Sequence, residues 1–174
     1  MPSADEVPVG RLDAETRVAE RPADHQAELR LWLRLFTCKT LIESVVRRRL
    51  REHFDVTLPR FDVMAQLYRT PNAMTLGELS ARMMVSAGNV TGLVERLVAQ
   101  GLLDRRASPN DRRVQIVSLT TEGRRSFRTM ARANADWIAE LFADLSPQDT
   151  DALMRLLGKA KSSARRAIDR GSGR

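Results

Sequence analysis

Between Gly101 and Thr120 the chain reads GLLDRRASPNDRRVQIVSLT, two short runs containing apolar residues on either side of a Ser-Pro-Asn-Asp stretch followed by Arg112 and Arg113. Proline and Asx residues between two such runs predict a turn, so the segment is expected to form a β-hairpin carrying positive charge near its tip. A hairpin of this kind restricts the fold through what stands before it, and here the preceding pattern is helical.

From Ala27 to about Phe54, apolar residues recur at helical spacing. Leu31, Leu35, Cys38, Ile42 and Val45 share one line, with Val46, Leu50 and Phe54 beside it, which predicts one long amphipathic helix. Pro59 suits the first turn of a second helix, carried by Phe61, Met64, Ala65 and Tyr68 until Thr70-Pro71-Asn72 stops it. Thr75 and Glu78 stand in the T-x-x-E relation of a capping box and open a short third helix that ends near Met84. Ser86 can cap a fourth, running to Gln100, with Gly101 where a left-handed residue closes a helix. The third and fourth helices form a helix-turn-helix pair, and the hairpin behind them makes it the winged form. The fold class expected is therefore mainly α with a small β-hairpin wing. In such a unit one helix enters the DNA major groove and the wing reaches beside it.

After the hairpin, Thr120 or Thr121 opens a fifth helix that runs to about Leu145, and Ser146-Pro147 starts a sixth carrying Leu153, Leu156 and Leu157. The expected organisation is a mobile tail over residues 1–23, a dimerisation helix over 24–58, a DNA-binding lobe over 59–120, C-terminal dimerisation helices over 121–168 and a second tail over 169–174. The long terminal helices have more apolar face than the small lobe can cover, which predicts pairing with a second subunit in a symmetric homodimer.

Composition narrows the partner. With 29 Lys and Arg against 22 Asp and Glu the chain carries a formal charge of +7, which favours a polyanion such as double-stranded DNA. Cys38 is the only cysteine, so an internal disulfide and a cysteine-based zinc cluster are excluded. On the apolar line of the first helix it is expected to be a buried, inert thiol. His25 and His53 are isolated and form no metal-ligand pattern. No apolar run approaches the roughly 20 residues of a membrane span. The N-terminus lacks the basic patch and apolar core of a secretion signal, so no membrane association and a cytoplasmic location are expected. The chain has no phosphate-binding glycine loop, H-E-x-x-H or nucleophile elbow, and no enzymatic activity or cofactor is expected.

Ser86 to Gly101, SAGNVTGLVERLVAQG, is followed by LLDRR, by Asp111-x-Arg113 and by Leu119-Thr120. The combination of V-T-x-L-V-x-R-L from Val90 with D-x-R-x-x-x-x-x-L-T from Asp111 resembles the MarR family of bacterial transcriptional regulators, over about residues 27–165. The resemblance implies a homodimer reading a pseudo-palindromic operator, usually repressing transcription until a small ligand or oxidant lowers its affinity. Two recognition helices related by a two-fold axis meet major-groove faces roughly 34 Å apart, so an inverted repeat is the matching DNA symmetry.

Ser86, Gly88, Asn89 and Thr91 fall in the first turn and a half of the fourth helix, where short side chains let it approach bases and phosphates; Arg96 lies farther along toward phosphate. The resemblance places Arg113 in or over the minor groove. Asp111 is expected to orient an arginine by a charge-assisted hydrogen bond, and Arg105, Arg106 and Arg112 add charge along the hairpin, on a solvated face or against phosphate. The resemblance also implies an effector site among the first, second and fifth helices. Trp32, Phe36, Arg60, Phe61, Met64 and Tyr68 are candidates to line it, as core or as the pocket of a small aromatic carboxylate or CoA-thioester effector. Arg47, Arg48, Arg49 and Arg51 are either a solvated helix face or a cradle for such an anion. One branch of the family senses hydroperoxides through a cysteine assisted by tyrosines, earlier in the first helix than Cys38, and Tyr68 is the only tyrosine here. Three alternatives remain open beside a sequence-specific regulator: an architectural protein that binds DNA backbone without sequence preference, a purely structural dimerisation module, and a cysteine-based redox sensor.

Overall fold

A computed structural model describes residues 26–70, 73–109 and 111–172, so the tail expected over 1–23 lies outside the described residues. Two compact units divide the chain, one ending at Ala135 and the other covering Asp136–Arg174. The elements in order are α1 (Gln26–Phe54), α2 (Leu58–Tyr68), β1 (Met74–Thr75), α3 (Leu76–Met83), α4 (Ala87–Ala99), β2 (Leu103–Ala107), β3 (Gln115–Leu119), α5 (Thr121–Leu141) and α6 (Pro147–Ser172).

In the first unit each element contributes an apolar stripe to one core. Val46 and Leu50 come from α1, Phe61, Val63, Met64 and Leu67 from α2, and Val90, Val94 and Leu97 from the inner line of α4. Val56, Met74, Leu79, Leu103, Val117, Leu119, Phe127 and Met130 complete it. The spacing of 90, 94 and 97 turns the opposite side of α4 to solvent. In the N-terminal half of α1, Leu29, Leu31, Trp32 and Phe36 are exposed, in keeping with a helix whose apolar face exceeds what the lobe covers, whereas Cys38, expected to be a buried thiol, is exposed as well. Periodicity reports which residues share a face, and whether that face is buried depends on neighbours distant in sequence.

The wing is a three-stranded antiparallel sheet of order β1-β3-β2, one strand more than the hairpin expected. Met74 pairs with Val117 and Thr75 with Ile116, while β2 runs beside β3 from Leu103↔Leu119 to Ala107↔Gln115. Thr75 ends β1 and caps α3. Its amide donates to Glu78 Oε2 at 2.8 Å and its hydroxyl accepts from the Glu78 amide at 3.1 Å, closing the capping box. Replacing Thr75 with alanine is expected to lower stability by about 1 kcal/mol in urea denaturation. The amide and hydroxyl of Thr75 hold the Glu78 carboxyl below its ordinary value. The ionised carboxylate therefore stabilises the fold above the ordinary glutamate range, and this support disappears as acid protonates it, so the gap between parent and variant should narrow at low pH.

Helix α4 closes in a Schellman motif: Gly101, at φ +70°, donates to Val98 O at 2.9 Å and Leu102 to Leu97 O at 3.0 Å. Thr120 then ties the base of the wing to α5. Its amide donates to Leu102 O at 3.1 Å, its hydroxyl donates to Gly101 O at 2.8 Å, and the same oxygen accepts from the Gly123 amide at 2.9 Å. Along α5, the Phe127 ring lies 5.3 Å from that of Phe61 and 4.8 Å from that of Tyr68.

The second unit holds the end of α5 and α6. Helix α5 stops at Leu141, short of the Leu145 expected, because Ala143 and Leu145 donate to Glu140 O and Phe142 O in tight i to i−3 turns. Ser146 opens α6 through a capping box with Asp149, its hydroxyl 2.6 Å from Asp149 Oδ2 and the Asp149 amide 3.1 Å from that hydroxyl. Helix α6 runs on to Ser172, four residues past the end expected at 168, carrying Gly171 inside its last turn. Phe142, Leu145, Leu153, Met154, Leu156, Leu157 and Ile168 are exposed. No helix among the described residues is long and apolar enough to cross a membrane.

Candidate nucleic-acid interface

The turn between α3 and α4 is held by backbone geometry. Met84 takes the left-handed conformation at φ 55°, and the Ser80 hydroxyl donates to Val85 O at 2.7 Å. Ser86 follows in extended conformation, its hydroxyl accepting from the Asn89 amide at 3.4 Å, which starts α4. Ser86, Gly88, Asn89 and Arg96 are exposed on the outer side of α4, whereas Thr91 is half-buried and its hydroxyl donates to Ala87 O at 2.9 Å. Gly88, Asn89 and Arg96 line one groove of about 390 Å³ together with Pro59, Met83, Val85, Gly92 and Leu93. Gly92 and Val85 were not among the residues singled out from the sequence. The available signal was the spacing of four between Gly88 and Gly92, two poor helix formers on one side of a helix.

In the wing, β2 is an edge strand and only Leu103 of it is buried, which leaves Arg105 and Arg106 exposed. Arg105 is paired with Glu95 of α4 at 3.5 Å. Arg112 and Arg113 are exposed at the turn. Asp111 reaches its arginine through the backbone: its Oδ1 accepts from the Arg113 main-chain amide at 2.9 Å, and its carbonyl accepts from the Val114 amide at 2.9 Å. An Asx side chain reaches the amide two residues on more readily than a flexible guanidinium, so Asp111 fixes the backbone from which Arg113 projects.

The six candidate effector residues divide. Trp32, 61% exposed, pairs with Phe36 at a ring distance of 6.2 Å, whereas Phe61 and Met64 are packed in the core and Tyr68 rests on Phe127. Arg60 is half-buried, and its Nε and Asn134 Oδ1 are buried polar atoms without a hydrogen-bond partner among the described residues. A separate groove of about 520 Å³ is lined by Tyr68, Arg69, Thr121, Arg124 and Arg128. No cluster of three or more His, Cys, Asp or Glu suited to a metal occurs among the described residues.

A helix-turn-helix whose second helix turns a polar, glycine-containing side outward, beside an arginine-bearing wing, defines a winged helix-turn-helix DNA-binding regulator. The family model described as MarR family matches residues 54–114. The transcriptional activatory protein BadR of Rhodopseudomonas palustris is 30% identical over 166 residues, covering 92% of this chain and 94% of BadR. A mutant MarR from E. coli, in its crystal structure with operator DNA, superposes with a TM-score of 0.66 at 27% identity, covering 79% of this chain and 99% of that one. BldR from Sulfolobus solfataricus shares the fold at a TM-score of 0.70 and 20% identity, over 82% of this chain and 99% of BldR. The chain belongs to the MarR family, whose members are transcription regulators rather than enzymes.

Proposed function

We infer that the chain acts in the cytoplasm as a homodimer on a pseudo-palindromic operator, with α4 of each subunit in the major groove and the Arg113 wing in the adjacent minor groove. The outward face of α4 is the observation that carries this: Ser86, Gly88 and Asn89 are exposed at the helix end nearest the turn, where a recognition helix meets base edges. The exposed apolar residues of α1 and α6 support pairing, since surfaces of that kind are ordinarily covered by a partner. Repression is the first reading of the regulatory sense. Activation is the second, favoured by the relative BadR, which is called an activatory protein.

A small anionic effector, an aromatic carboxylate or CoA thioester, would shift the equilibrium only by binding better to a lobe arrangement that mismatches the operator. The orphaned Arg60 Nε and Asn134 Oδ1 support a polar ligand near α2 and α5, since buried polar atoms ordinarily have partners. Anisotropy titration against DNA upstream of the chain's own gene and a scrambled duplex, with a panel of aromatic acids and aryl-CoA thioesters, tests the reading. Expected are two chains per duplex, a preference of roughly 10³ or more for the operator, and its loss with one compound. Equal affinity for both duplexes, and no enriched motif in selection from random DNA, would favour the architectural alternative.

A further inference from the structure

The outer face of α4 is not uniformly polar. Besides Asn89 and Arg96, its groove is lined by Pro59, Met83, Val85, Gly88, Gly92 and Leu93, so most of its lining offers neither charge nor hydrogen bond to a phosphate. Val85 is 37% exposed and its neighbour Met84 is 93% exposed, in the turn that leads directly into the helix. A Cβ at Gly88 or Gly92 would meet nothing within 4 Å, so internal packing does not require the hollow, and alanine at either position would suit the helix better. A major groove lying against this surface presents one apolar group, the C5 methyl of thymine; the other groups on its base edges are hydrogen-bond donors or acceptors.

We propose that this groove seats a thymine 5-methyl group of the operator, with Val85 and Leu93 as the side chains that contact it. Both are then specificity-determining residues. The inference rests on the reading of α4 as the major-groove helix and deepens it. Asn89 lines the same groove, and an asparagine amide matches the N6 and N7 edge of adenine. An A·T pair displays that edge and the methyl in the same groove, with thymine O4 between them, so the two features select the same base pair or adjacent ones.

The experiment uses the full chain and a duplex enriched by selection from random DNA, with each thymine of one half-site replaced in turn by deoxyuridine. At one or two thymines the affinity should fall about fourfold per methyl removed, the size expected for taking one methyl-sized apolar group out of contact. With Val85→Ala the same replacement should change affinity by less than about twofold, as that contact is already reduced. Gly92→Ala, which adds a methyl to the groove floor without disturbing the core, should weaken the thymine operator and reduce the difference from deoxyuridine. A selected motif with no methyl-sensitive thymine would overturn the inference and leave the regulator reading standing. Sensitivity undiminished in both variants would also overturn it, and selection that enriches no motif would overturn the regulator reading with it.

Discussion

Alanine in place of Gly123 should destabilise the DNA-binding unit by about 3 kcal/mol or more, toward or beyond the upper end of typical overpacking effects. A Cβ built there would lie 2.0 Å from Leu102 O and 2.9 Å from the Leu102 carbonyl carbon, with the Leu119 side chain at 3.1 Å. The obstacle is backbone rather than the end of a flexible side chain. That carbonyl also accepts from the Thr120 amide, and the Leu102 amide closes α4, so moving the peptide loosens the end of α4 and the base of the wing together. Moving α5 instead breaks the hydrogen bond from the Gly123 amide to Thr120 Oγ1. Thermal unfolding should show a drop of about 6 °C or more for a chain of this size. Gly77→Ala is the matched comparison, since the nearest atom to its Cβ is Thr75 Oγ1 at 4.0 Å, and its midpoint should hold or rise slightly. Equal midpoints for Gly123→Ala and the parent would show that the approach of α5 to Leu102 is looser than the hydrogen bonds imply.

Arg113→Ala should weaken operator binding about tenfold to one hundredfold, roughly 1 to 3 kcal/mol, with little change in melting temperature. The side chain is exposed and projects from a turn fixed by Asp111, so its removal takes away charge without opening the core. A guanidinium placed in a narrow, A·T-rich minor groove meets concentrated negative potential. Replacing it should therefore flatten the dependence of affinity on salt by about one phosphate equivalent as well as weaken the complex. Arg105 provides the internal contrast. It is held by Glu95 at 3.5 Å, so its alanine variant should lose less affinity than Arg113→Ala in the same titration. If Arg113→Ala binds operator like the parent, the wing is not the contact assigned to it.

The local signals in the sequence corresponded closely to the parts of the fold that local chemistry decides. Thr75 with Glu78, Ser86 and Gly101 mark helix ends through their own hydrogen bonds and dihedral angles, and the structure has α3 and α4 between them. Strand β1 left no trace because two residues cannot show a period, and Thr75 was already accounted for as a cap. Burial was the least legible property. Cys38 shares a helical line with apolar residues yet is exposed, while Phe61 and Met64, candidates for a ligand pocket, are buried by the approach of α5 and the rest of the core. These outcomes depend on neighbours distant in sequence. At the interface, glycine, asparagine and arginine could be read as outward-facing by type, but the apolar share of that face could not, since Val85 and Leu93 look like core residues until the direction of α4 is known.

No polar or charged residue is among the buried ones described. Such a core specifies itself by volume and shape, and aliphatic residues can exchange for one another as long as the total filling is kept. The directional requirements sit at its margins, in Thr75, Thr120 and Gly123, where hydrogen bonds or a missing Cβ leave little choice of residue. A chain built this way can drift far in its interior without changing its backbone.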